Sequence, residues 1–455
     1  MKTEWKPYLK SIAALALPIM IENTLQTLLG TTDTYFAGRL SDDAIAAIGV
    51  TNLVMNLFLS FFTAVSVGAC AVVSRNYGKR DYSRVSRSVV HSLVLGLGLG
   101  LATGMICALF RRPVLRISGA DDAIIEYAMP YYLSVAVPCA ALCLQLILSS
   151  CLRAMKDTKT PMYVTGASNL LNIFLNILFI RAGLGILGLG LATTLSRGIS
   201  ACALFTRLRK RGSDLFVQKS EKAGDSMAAD SSFHLTACLK AREFSSILKI
   251  GLPAGMEKII MRVGQLIYNG MILSIGTSSY VAHNIAGNIE SYSYIPAMGL
   301  GLAVCTMTGV SLGENNRLKA RKTTAAACIL GSVFALLFGF VFFVFAPQLT
   351  AVFSDTKEVQ DMASSVLRII ALFQPFGFLV QIMTNALQGA GDTRFPMYST
   401  FLGIWGIRIG IGWLLAVHFH MGLDGIWYAY ALDVTVRGIL LLIRFQSGKW
   451  QKINL

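Results

Sequence analysis

An all-α membrane protein, with twelve transmembrane helices in two pseudo-symmetric six-helix bundles, is predicted by three observations. Apolar residues are 54% of the 455 and charged residues only 14%, where a soluble domain carries about 25% charged; mean hydropathy is +0.60. Apolar blocks long enough to cross about 30 Å of hydrocarbon, roughly 20 residues each, recur along the whole chain. Short motifs recur at one fixed offset.

Twelve spans are placed at 10–36, 45–74, 88–110, 126–152, 162–183, 185–206, 247–275, 279–311, 325–346, 364–388, 397–418 and 423–444. The first contains Glu22, Asn23, Gln26 and Asp33 and has no small-residue cleavage site, so it is expected to be a permanent span and not a cleaved signal. The nine cysteines lie mostly inside spans without metal or redox spacing, where cysteine acts as a small apolar residue. A net charge of +16 would suit nucleic acid, but its placement points elsewhere. Basic residues fill alternate loops: Arg75, Lys79, Arg80, Arg84 and Arg87, then Arg153, Lys156 and Lys159, then the run 207–242, then Arg317, Lys319, Arg321 and Lys322, then Arg394, then Lys449 and Lys452. The opposite loops carry Asp42, Asp43, Asp121, Asp122, Asp355, Glu358 and Asp361, with Arg111, Arg112 and Arg116 as the exception. This is the positive-inside pattern and puts both termini in the cytoplasm. The partner it implies is the lipid bilayer, not nucleic acid.

The repeat fixes the organisation. Leu17-Pro18 and Glu22 recur as Leu252-Pro253 and Glu257. Asp157-Thr158, Pro161-Met162-Tyr163 recur as Asp392-Thr393, Pro396-Met397-Tyr398, and Gly78 recurs as Gly313. Every pair is separated by the 235 residues between Pro18 and Pro253. One register across separate motifs implies duplication into parallel halves. The expected division is an N-terminal lobe at 1–206, a polar cytoplasmic linker at 207–246 and a C-terminal lobe at 247–455. Two similar bundles that rock about a cleft give alternating access, the plan of a secondary transporter.

Ionisable groups cost about 2.5–3.5 kcal/mol at a bilayer centre on insertion scales, so they face a cavity or the protein interior. The candidates are Glu22, Asp33, Glu257, Lys258, Arg262, Glu290, Arg408 and Asp433. Glu22 and Asp33 are about three turns apart on one helix face, with Gln26 near the same line. Asn169, Asn172 and Asn176 form an amide stripe on the fifth span, and Thr193 and Thr194 supply hydroxyls on the sixth. A carboxylate with amide and hydroxyl oxygens suits Na⁺, and a buried carboxylate can instead carry a proton. Amides and hydroxyls also join helices, typically at about 1 kcal/mol or less each, and for the stripe alone that reading leads. For Asp33 function leads. Asp33 aligns with Tyr268 and Asn172 with Ile407, so coupling chemistry is expected only in the first half. Arg408 and Asp433 read as an interhelical pair. Glu22 and Glu257 fit helix packing as well as substrate contact. Together with Gln26, Asn169, Gln265, Tyr268, Glu290 and Arg408 they form the candidate substrate cleft.

No phosphate-binding G-x-x-x-x-G-K-[ST] loop, H-E-x-x-H or G-x-S-x-G occurs, so neither ATP-driven transport nor an enzyme is expected.

These residues resemble the multidrug and toxic compound extrusion (MATE) family over nearly the full length. The resemblance rests on Leu17-Pro18, Asp33, Ala37-Gly38-Arg39-Leu40 and Ala46-Ala47-Ile48-Gly49, and on Gly251-Leu252-Pro253, Glu290, Pro296-Ala297-Met298-Gly299 and the 387–393 turn. It implies a two-lobed twelve-helix transporter with a V-shaped cleft in a bacterial cytoplasmic membrane, expected to be a monomer. It implies export of small organic, often cationic, compounds in exchange for inward H⁺ or Na⁺, with no other cofactor. In the DNA-damage-inducible F-like branch the coupling residues match Asp33, Asn172, Asn176 and Thr194, which makes those four the candidate Na⁺ or H⁺ site. Asn176 stands where that branch has aspartate, which lowers the site's negative charge. Another branch uses acids on the seventh and tenth spans, where this sequence has Met261 and no acid. A lipid-linked oligosaccharide flippase is the alternative, for which only Arg262 and Arg408 would serve as deep cations. A non-transporting sensor derived from a transporter is the other.

Overall fold

The computed structural model describes residues 2–223 and 241–453. It is helical throughout, and the twelve-helix arrangement holds. The first three spans are Lys2–Gly38, Asp42–Gly78 and Tyr82–Leu109. The fourth is broken: Asp122–Ala136 and Ala140–Ala154 meet at a bend of 41°. Pro138 sits in the break, where it has no N–H to continue the ladder. The fifth and sixth are Lys159–Arg181 and Gly185–Ala223. The seventh to tenth are Ala241–Ile275, Thr277–Gly313, Arg317–Val344 and Lys357–Ala390. The eleventh starts as Arg394–Phe401 and continues through π-helical stretches at Leu402–Ile411 and Leu414–His418; the twelfth is Gly422–Gln446.

Among the described residues, ten helices and the bent pair are long and apolar enough to cross a membrane. The seventh span carries Lys249, Glu257, Lys258 and Arg262 and completes the twelve. Leu101, Met105, Leu170, Phe174, Leu336 and Phe340 are all exposed. So much open apolar surface along helices is what lipid, not water, must cover. Spans run longer than the hydropathy blocks because caps extend them beyond the hydrocarbon: Ser41, Asp81 and Asn316 side chains each accept a backbone N–H at a helix start. Two of the three exceptional arginines have local partners, Arg116 with Asp122 at 2.5 Å and Arg112 with Glu126 at 3.8 Å.

Contacts divide the chain into two units, Ile21–Gly255 and, as the second, the segment up to Met20 together with Met256–Leu455. The division falls inside the first and seventh spans and not at the expected 207–246 segment, whose ends continue the sixth and seventh helices and whose residues 224–240 lie outside the described part. Close backbone packing explains the crossover. A Cβ on Gly251 would lie 2.7 Å from the Ala64 carbonyl oxygen, and one on Gly68 would lie 2.5 Å from that of Ile247. In the second unit a Cβ on Gly299 would lie 3.3 Å from the Ala16 carbonyl oxygen. Ala16 and Gly251, like Ala64 and Gly299, are related by the repeat offset, so each unit clasps the entry of one lead helix in the same way.

The repeated Asp-Thr turns are tied down similarly. Asp157 pairs with Arg211 at 3.0 Å, and Asp392 with Arg444 at 2.7 Å.

Candidate functional site

In the unit Ile21–Gly255, Asp33 is buried and both of its oxygens are engaged. Thr193 Oγ1 donates to Oδ2 at 2.8 Å and Asn176 Nδ2 donates to Oδ1 at 3.1 Å. The network then closes. Asn172 Nδ2 donates to Thr193 Oγ1 at 3.2 Å, and Asn176 Nδ2 also donates to Asn172 Oδ1 at 3.0 Å. Asn172 and Asn176 are fully buried and Thr193 nearly so. One carboxylate thus connects the first, fifth and sixth spans through a loop of four side chains. Both acceptor sites of an ionised carboxylate are satisfied, which burial demands.

Three of the four expected coupling residues are brought together. Thr194 is not. Its hydroxyl donates to the Ser134 carbonyl oxygen at 2.6 Å, toward the fourth span. Neighbouring helix residues point about 100° apart, and it is Thr193 whose direction meets Asp33. The Arg197 charge also acts on Asp33, and sequence reasoning missed it. A signal existed for Arg197, which is four residues from Thr193 and therefore on its face.

The candidate cleft residues sort differently. Glu22 is fully buried in an ion pair, with Arg153 Nη1 at 2.9 and 3.0 Å from its two oxygens. Gln26 reaches Glu22 at 3.5 Å. Asn169 donates to the Leu25 carbonyl oxygen at 2.6 Å, joining the first and fifth spans. Glu22 and Asn169 thus join the first span to the fourth and fifth, while Gln26 bonds along its own helix. In the second unit Glu257 accepts from Gln388 Nε2 at 3.0 Å and Thr400 Oγ1 at 3.3 Å. Gln388 is the repeat equivalent of Arg153, so the same glutamate has a cation in one unit and an amide in the other. Gln265 is exposed and accepts from Arg262 at 3.4 Å.

Arg408 pairs with Asp433 through two hydrogen bonds, 2.9 Å from Nε and 2.6 Å from Nη2, and Arg437 adds a third at 2.9 Å. The interhelical pair therefore forms, with a second arginine that the sequence did not single out. Arg408 Cζ lies 4.2 Å from the Tyr430 ring centre and 5.8 Å from that of Tyr268, geometry that lets the aromatic faces share the guanidinium charge. Tyr268 occupies Asp33's repeat position and is buried, with no hydrogen-bond partner for its hydroxyl among the described residues. Glu290 is also buried and accepts from Tyr430 at 2.7 Å. The second unit thus has no copy of the Asp33 network but does hold its own buried polar cluster.

Repeat-related helices with buried carboxylates at their contacts, and apolar spans along the chain, define a polytopic membrane protein with an internal duplication. The chain belongs to the MatE family, whose model matches residues 18–178 and again 253–414. The two matches begin at the two repeat prolines. The chain is 30% identical over 451 residues to the Probable multidrug resistance protein NorM of Thermotoga maritima, covering 97% of this chain and 93% of the relative. It is 26% identical to the Uncharacterized transporter YisQ of Bacillus subtilis, over 97% of this chain and 94% of that one. Its fold is similar to the Vibrio cholerae MATE transporter VcmN in the bent form, with TM-score 0.89, 19% identity and 98% of both chains covered. It is also similar to an outward-facing MATE family transporter of the MOP superfamily, at TM-score 0.85 and 23% identity over 98% of this chain and 97% of that one.

Proposed function

We propose that this chain is a secondary active multidrug exporter of the bacterial cytoplasmic membrane, with both termini cytoplasmic, that moves small organic, often cationic, compounds outward against inward protons, with Asp33 as the coupling group. The observation that carries the reading is the closed network on Asp33, Thr193, Asn172 and Asn176.

The network has two arrangements. Ionised, Asp33 accepts from Thr193 and from Asn176. Protonated, one of its oxygens becomes a donor and needs an acceptor. Thr193 Oγ1 then turns its own hydrogen away from Asp33 and accepts on its second lone pair, with the Asn172 amide still on the first, so the Thr193 hydrogen must find a new acceptor. A proton at Asp33 therefore reorders contacts among the first, fifth and sixth spans. Coupling requires that proton and substrate favour different arrangements of the units, by a differential affinity for the two states.

Sodium fits the donor set less well. Asn176 and Thr193 turn hydrogens, not lone pairs, toward Asp33. The site has one carboxylate, since Asn176 is an amide, and Arg197 adds a positive field.

The relatives named for multidrug resistance support the export of organic compounds. The test is dye efflux from proteoliposomes, with pH and Na⁺ gradients imposed separately. Efflux under a pH gradient alone is the expected result. Efflux only under a Na⁺ gradient would overturn the choice of ion, and efflux under neither would overturn the function.

A further inference from the structure

The unit from Met256 onward contains a carboxylate that the Asp33 scheme does not use. Glu290 lies midway along the eighth span, Thr277–Gly313, and is 7% exposed. Its Oε1 accepts from Tyr430 at 2.7 Å and from Tyr294 at 3.5 Å, and the two tyrosine hydroxyls are 2.6 Å apart. Its Oε2 has no hydrogen-bond partner among the described residues, and no cation there lies within ion-pair distance of it. The carboxyl group borders a cavity of about 10 Å³ that Ser293, Tyr294, Gln374 and Tyr430 also line, with apolar walls from Ala297 and Phe378. That is about the space of one water, and such a water needs two to four polar neighbours. An organic substrate does not fit.

The surrounding charges are already committed. From the eleventh span Arg408, and from the twelfth Arg437, both bind Asp433. Arg408 reaches Glu290 only through the field, since the Tyr430 ring is the face on which its guanidinium rests. The seventh span contributes Tyr268, the eighth His283 and Tyr294, and the tenth the uncharged Gln374. Glu290 is thus a buried carboxylate with a hydroxyl pair on one oxygen and an open, water-sized space at its other side, and with no salt bridge to fix its charge.

We propose that Glu290 is a second proton-binding site, in the unit that lacks the Asp33 network, loading its proton on Oε2 against the cavity while Tyr430 and Tyr294 hold Oε1. In the loading step an excess proton from solvent arrives as hydronium, one of its O–H bonds breaks as an O–H bond forms at Oε2, and neutral water and a neutral acid that donates into the cavity are left. Release is the reverse, with no other bond changed. The tyrosine pair suits both states, because each hydroxyl can donate or accept. The site stands on its own geometry and does not require Asp33 to be the coupling group. If Asp33 also carries a proton, each exchange cycle has two acidic sites, one per unit.

Infrared difference spectroscopy of the purified full-length protein in lipid nanodiscs, between acid and alkaline pH, reads the carbonyl band of each protonated carboxyl directly. Wild type is expected to show two such bands. Glu290→Gln should remove one and leave the other, and Asp33→Asn should do the converse. Tyr430→Phe, which keeps the ring and removes the 2.7 Å hydrogen bond, should shift the band that Glu290→Gln removes. A Glu290→Gln spectrum identical to wild type overturns the proposal, as does loss of both bands in Asp33→Asn. Absence of an Asp33 band with the Glu290 band present overturns the Asp33 reading and leaves this one standing.

Discussion

Arg153→Gln gives the first unit the residue that the second already has at the equivalent place. Arg153 donates to both oxygens of a fully buried Glu22, and its own side chain is only 10% exposed. Removing one member of a buried pair strands the other charge, at about 3–5 kcal/mol. The glutamine keeps one donor, which returns about 1 kcal/mol. The net loss expected is therefore about 2–4 kcal/mol. Glu22→Gln/Arg153→Gln removes both charges together and should recover most of that loss, since the isosteric removal of a buried pair is often close to neutral. Glu257→Gln leaves no cation behind and should cost about 1 kcal/mol or less, the scale of one hydrogen bond. The assay is reversible unfolding in mixed micelles of mild detergent and SDS, with wild type and the three variants side by side. An Arg153→Gln variant within about 1 kcal/mol of wild type, or a double variant no better than the single, would refute the reasoning.

Thr193→Val removes the hydroxyl that holds Asp33 Oδ2, whereas Thr194→Val removes only a bond to Ser134. A hydrogen bond to a charged group contributes about 1.5–3 kcal/mol, so Thr193→Val should lower gradient-driven efflux about tenfold or more, with Thr194→Val near wild type in the same proteoliposomes. Gly251→Ala must push its new methyl against the Ala64 carbonyl oxygen at 2.7 Å and should lose about 1–3 kcal/mol in mixed-micelle unfolding. Gly270→Ala, which meets nothing within 4 Å, should be neutral or slightly stabilising there, because alanine is the better helix former. Asp433→Asn leaves Arg408 and Arg437 facing each other without their shared anion; the expected result is a loss of about 3–5 kcal/mol, read as a collapse of monodisperse protein in size-exclusion chromatography.

The spans, the repeat and the Asp33–Asn172–Asn176 set were legible because each leaves a periodic trace in one dimension. Hydropathy blocks repeat, motifs share one offset, and Asn172 and Asn176 lie one turn apart. Both Thr193 and Thr194 were candidates from the sequence, and the resemblance favoured Thr194; which one faces Asp33 is a matter of about 100° on the helix, finer than a sequence register resolves. Arg153 read as one of several loop cations, since nothing local distinguishes an arginine that turns inward from one that stays in water. The pairing of Glu290 with Tyr430 joins residues 140 apart in sequence, and no periodicity encodes such a contact. The π-helical turns around Arg408 likewise have no compositional mark. The close packing of a helix entry within each unit was visible in part. Ala16, Ala64, Gly251 and Gly299 are all small residues at repeat-related places, as close backbone approach requires.

Asp33→Asn compared with wild type, in proteoliposomes carrying an imposed pH gradient and a fluorescent organic cation, tests the proton-coupling reading most directly. Asparagine keeps the size and an oxygen acceptor but cannot take up a proton. Efflux that follows the gradient in wild type and no longer responds to it in Asp33→Asn is the expected result. Full gradient-driven efflux in the variant would contradict a coupling role for Asp33.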